Sequence, residues 1–150
     1  MVTYRASKLI IAPIKYVYDW ATNFKEDDDL IFGGKARKII LLKTNTKSMY
    51  ASYEVGSDGK PKISVSEVAL RPKDYTWHLD YYSEIDIETG EYKLSKVGKD
   101  KTRIDMVFKN KRKHSGKGPS SKQFEKEARF LWDKYAAALE KDFNSGKKAN

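Results

Sequence analysis

The stretch TWHLDYYS, residues 76–83, holds the side chains best suited to proton transfer. On a strand, the alternating His78, Asp80 and Tyr82 set an imidazole, a carboxylate and a phenol on one face, where they could act as acid and base. The same alternation puts Trp77, Leu79 and Tyr81 on the other face. Such chemistry needs a partly water-excluded pocket. Turning the His78 set inward would expel three bulky apolar side chains, so the expectation is a solvated His78 face and no catalytic set.

Other chemistry is thinly represented. His114 lies in a basic Gly/Ser segment, and the chain has two histidines and no cysteine. Thiol nucleophiles, disulfides and thiolate metal sites are therefore excluded, and nothing calls for a cofactor or a resident metal. Asp27, Asp28 and Asp29 are consecutive and lack the alternating spacing and glycine of a calcium loop, so they read as a helix-start cap. Glu67 is the one acid whose direction is open. In KISVSEVAL it shares a face with Ile63, Val65 and Ala69, while Val68 and Leu70 share the other, and a bulge could reverse half the strand. If inward, Glu67 becomes a polar anchor, with Tyr53 on the preceding strand as partner.

The elements that must position these groups follow from periodicity. Tyr4, Ala6, Lys8 and Ile10 alternate against Arg5, Ser7 and Leu9, and Ile14, Val17, Ala21 and Phe24 then recur at helical spacing. Pro13 marks the switch, since proline suits a helix start and cannot continue a central strand. FKEDDDLIFGG predicts a second short helix. Six strands follow between residues 35 and 112, joined by short connections such as the Asp58-Gly59 turn, and short connections favour an antiparallel meander. The closing SSKQFEKEARFLWDKYAAALEKDFNSG is a long amphipathic helix with Phe124, Ala128, Leu131, Tyr135, Leu139 and Phe143 on its apolar stripe. That stripe must dock on the concave face of the sheet.

The opening IIAPIKYVYDW and the terminal FEKEARFLWDKYAAALEKDF, in this order of elements, resemble the START and polyketide cyclase-like superfamily (SRPBCC). The resemblance covers nearly the whole chain. It implies an α+β helix-grip fold: a curved antiparallel seven-stranded sheet around a long C-terminal helix, with two short helices after the first strand. It also implies a cavity rather than a fixed catalytic set, since its members include carriers of lipids, hormones and secondary metabolites and a minority of aromatase/cyclases. The wall expected of such a cavity comprises Met49, Tyr53, Glu67, Trp77, Leu79, Tyr81, Tyr92, Ile104, Met106, Phe108, Ala128, Leu131 and Tyr135.

Composition bounds the partners. The 150 residues are read as a single domain, residues 1–150, able to bury roughly two-thirds of its unfolded surface. The net charge of +9 is local: KNKRKHSGKGPSSK, residues 109–122, holds six Lys/Arg and no acid, Lys147 and Lys148 add two, and the remainder stands at +1. Nucleic-acid binders usually spread such charge over a face, so a basic-loop adaptor for nucleic acid or an acidic partner ranks third. A polyketide cyclase- or dehydratase-like enzyme ranks second. The leading expectation is a non-catalytic module enclosing a small hydrophobic molecule, lipid-like or aromatic. With no cysteine, no basic-then-apolar leader and no membrane-length apolar run, the expected compartment is the cytoplasm.

Overall fold

The computed structural model describes residues 2–112 and 121–149. His114 and most of the basic segment lie outside the described residues. Strand β1 (Val2–Ile10) runs into helix α1 (Ile14–Thr22) and a 3-10 turn at Asp28–Phe32. Strands β2 (Arg37–Lys43), β3 (Lys47–Val55), β4 (Pro61–Arg71), β5 (Thr76–Ser83), β6 (Asp86–Gly98) and β7 (Lys101–Arg112) follow, and helix α2 (Ser121–Asn144) comes last. The sheet is antiparallel throughout, in the order β1-β7-β6-β5-β4-β3-β2. The meander is thus a direct consequence of short connections, and only β1 crosses over to pair with β7.

The switch at Pro13 is built as the sequence requires. Pro13 is extended, its carbonyl accepts the first helical bond from Val17 N at 3.0 Å, and the buried Thr102 hydroxyl donates to the Ala12 carbonyl at 2.8 Å. That last bond satisfies a backbone group that the kink would otherwise strand in the core. The acidic run ends as a cap: Gly33, at φ +82°, sends its N–H back to the carbonyls of Asp29 and Leu30. A side chain would be strained in that left-handed conformation.

Bulges between Ile40 and Leu42 and between Lys96 and Gly98 bend the sheet. The concave side carries a core of Tyr4, Ile10, Val68, Ile104 and Met106, closed by Ala128, Trp132, Ala136 and Leu139 of α2. Tyr4 stacks on Phe124 at 4.0 Å between ring centres. At the rim, Lys8 pairs with Asp133 at 2.6 Å and Ile11 N–H donates to Glu140 at 2.8 Å, locking the helix to β1 and the chain following it. The buried stripe of α2 is broader than the one read from its spacing, because Trp132 and Ala136 join it.

Candidate ligand cavity

Between the helices and the wide end of the sheet lies a cavity of about 970 Å³. Its apolar wall is aromatic. Trp77 and Tyr92, directly opposite on β5 and β6, lie nearly parallel, 5° apart with centres 4.7 Å apart, and Leu79 and Tyr81 continue the same face. From the helical side come Trp20, Leu131, Trp132 and Tyr135, with Phe24 and Phe32 from the chain after α1. Trp20 donates its indole N–H to Asp142 at 2.9 Å, and Phe32 meets Tyr135 edge-on at 5.8 Å.

The other wall is polar, and the strand register explains why. Residues directly opposite in an antiparallel pair share a face. One inner row therefore runs Lys38–Ser52–Ser64–Ser83, and the next runs Tyr50–Ser66–Tyr81–Glu88–Asn110. Lys38 is buried yet paired, its ammonium 2.9 Å from Asp29 and 3.8 Å from Asp28, and it lies over the Tyr50 ring at 5.3 Å from the centre. The Asp run thus holds a lysine that the sheet presents, besides starting a helical turn. Burial pushes the Asp28 carboxyl above its ordinary value, an effect that Lys25 and Lys38 oppose.

Burial also sets the protonation of the wall. The Tyr50 phenol is pushed up to about 12, chiefly by burial, and Tyr92 and Tyr135 are raised by the same cause. All three are neutral hydroxyls at physiological pH. Glu88 is raised as well, first by burial and further by Asp86, while the Asn110 amide donating at 3.0 Å pulls the other way.

The cavity wall differs from the expected set in several places. Tyr53, Trp77, Leu79, Tyr81, Tyr92, Leu131 and Tyr135 line it, Tyr53 from a half-exposed position. Met49 and Glu67 do not: they sit opposite each other on the outer face, and Glu67 neighbours Asp80. The cause is Val68, fully buried, which commits β4 to pointing Ser66 and Val68 inward and carries Ser48 and Tyr50 of β3 with them. Ile104, Met106, Phe108 and Ala128 are packed into the core away from the cavity. Lys38, the serines and Glu88 escape the sequence pattern because lysine, serine and glutamate on a strand read as a solvated face; Tyr50 is turned inward by the β4 register, and Trp132 lies beside the stripe read from the helix spacing.

His78 takes the outward place its register demands. It pairs with Asp80 at 2.8 Å and with Glu91. Burial alone would lower its pKa, but the hydrogen bonds its ring donates to Glu91 and Asp80 outweigh that and raise it. No helix among the described residues is long and apolar enough to cross a membrane.

No protein-family model matches the chain, and no curated protein sequence does. Solved structures do. A START superfamily protein from Mycobacterium smegmatis superposes with a TM-score of 0.72 at 12% identity, over 93% of this chain and 97% of that one. The di-domain ARO/CYC StfQ from the steffimycin biosynthetic pathway gives 0.70 at 15% identity, over 96% of this chain and 46% of that one. Ara h 8.0201 gives 0.68 at 12% identity, over 92% and 97%. A curved seven-stranded sheet gripping a long C-terminal helix above an internal cavity defines a helix-grip protein. That fold is shared with the START superfamily protein, the ARO/CYC StfQ and Ara h 8.0201.

Proposed function

We propose that this protein binds, without transforming it, a small and largely hydrophobic molecule with an aromatic or otherwise flat body. The observation that carries the reading is the cavity itself: about 970 Å³, walled on one side by Trp77, Tyr92, Trp132 and Tyr135 and on the other by the serine and tyrosine hydroxyls, the paired Lys38 and Glu88. Removing a flat apolar body from water there supplies affinity, at about 25 cal/mol per Å² of apolar surface buried, and the hydroxyl rows orient its polar end. The fold's likeness to START and aromatase/cyclase structures agrees with such a use. A cyclase-type reaction would need an acid–base pair in the cavity, and His78, the one histidine among the described residues, is held by Asp80 and Glu91 on the far face of the sheet.

Native mass spectrometry of freshly purified protein, followed by organic extraction, tests the reading directly. The expected result is a co-purifying small molecule or stoichiometric uptake of an apolar fluorescent probe. Trp77→Ala should weaken the probe far more than His78→Ala. Equal effects at the two positions, or no uptake at all, would overturn the proposal.

A further inference from the structure

Glu88 is the feature that simple burial of an apolar ligand leaves unexplained. It projects from β6 into the cavity beside Tyr81, its cross-strand neighbour, and on the same face as Tyr92 four residues on. One carboxylate oxygen accepts from Asn110 at 3.0 Å. Among the described residues, the charged group that acts on it is Asp86, another acid. The Lys38 ammonium, on a strand three beyond that of Tyr81, is engaged by Asp28 and Asp29. A carboxylate drawn from water without a counter-charge is costly. In a cavity wall, that cost is recovered when a ligand brings the missing cation.

Resting on the binding reading above, we propose that the natural ligand is an amphipathic amine, whose protonated nitrogen sits on Glu88 while its apolar body lies among the aromatic rings. Three observations converge on this class. Tyr81 stands directly across from Glu88 and Tyr92 lies on the same face four residues on, and aromatic faces attract cations. The cavity wall as a whole carries more acids than bases, seven against five, in a chain whose net charge is +9. The cavity's hydroxyls, at Tyr50 and Ser66 in the same row, are neutral and add no competing charge. A carboxylate ligand would instead meet Glu88 and be repelled.

The test uses three matched probes on the full chain: 2-(2-naphthyl)ethylamine, neutral 2-ethylnaphthalene and the anion 2-naphthylacetate, each titrated by tryptophan fluorescence and competition. The expected order is amine over neutral over anion. Glu88→Gln keeps the shape and the Asn110 bond and should cost the amine about tenfold in Kd, with the neutral probe within about twofold as a report on cavity integrity. Asp100→Asn, which removes an exposed acid outside the cavity wall, should leave the preference in place. Neutral and amine probes binding alike, or an amine unaffected by Glu88→Gln, would overturn this inference and leave the binding reading standing. Failure of all three probes to bind would overturn both.

Discussion

Gly90 offers the sharpest test of how the cavity wall is assembled. It is buried on β6, and Tyr92, two residues on and on the same face, folds its ring back over it. A Cβ at position 90 would meet Tyr92 Cε2 at 2.8 Å, Oη at 3.2 Å and Cζ at 3.3 Å. Ordinary contact begins near 3.4 Å, so the ring must retreat by about 0.6 Å. Retreat disturbs its contacts, since the ring is stacked on Trp77 at 4.7 Å and meets Phe108 at 5.6 Å and Trp132 at 6.2 Å. Overpacking of this kind costs about 1–3 kcal/mol. Against it stands a gain of about 0.4–1 kcal/mol from stiffening the unfolded chain. The net expectation for Gly90→Ala is a loss of about 1–2 kcal/mol, or several degrees in Tm for a chain this size. Urea unfolding measures it. In a Tyr92→Leu background the ring is gone, so the same Gly90→Ala change should become neutral or stabilising, giving a coupling of at least about 1 kcal/mol. Additive effects in this double-mutant cycle, or a more stable single variant, would refute the idea that glycine is there to seat the ring.

Three further outcomes are expected. Leu139→Ala removes a fully buried side chain of α2 and should cost about 2–5 kcal/mol in urea unfolding, whereas Leu131→Ala, on the cavity wall and only half-buried, should cost clearly less. Lys38→Met takes from Asp28 and Asp29 the ammonium they share and should destabilise by about 1–3 kcal/mol, below the loss at a fully buried pair because both carboxylates keep some water; thermal unfolding at two salt concentrations measures it. His78 has a raised pKa in the folded protein, so its contacts with Asp80 and Glu91 support the fold fully below pH 6.5 and lose that contribution as pH climbs through the folded value. The stability advantage of wild type over His78→Gln should therefore shrink as pH rises from 6.5, and an advantage that grows would contradict the pairing.

Much of this protein is legible in one dimension, where the information is local. The switch at Pro13, the terminal helix, six successive strands and the outward placement of His78 follow from backbone constraint and from the period of apolar residues. Trp77, Leu79 and Tyr81 could be set inward because three bulky side chains on one face leave a strand little choice. Function classes narrowed equally early, since the absence of cysteine and the crowding of charge into one segment are facts of composition.

What tertiary structure alone decided is which polar residues face inward. On β3 and β4 the alternating sets are nearly balanced in hydrophobicity, so Met49 and Glu67 against Tyr50 and Ser66 could not be sorted by pattern. The choice was made by Val68, which is drawn into the hydrophobic core, and pairing then propagated that choice across neighbouring strands. Lys38 and Glu88 are a second case. Serine, lysine and glutamate on a strand look solvated unless something covers them, and here the covering elements, α2 and the chain after α1, come from opposite ends of the sequence. Burial, and with it the wall's charge and protonation, belongs to that meeting and to no single stretch of residues.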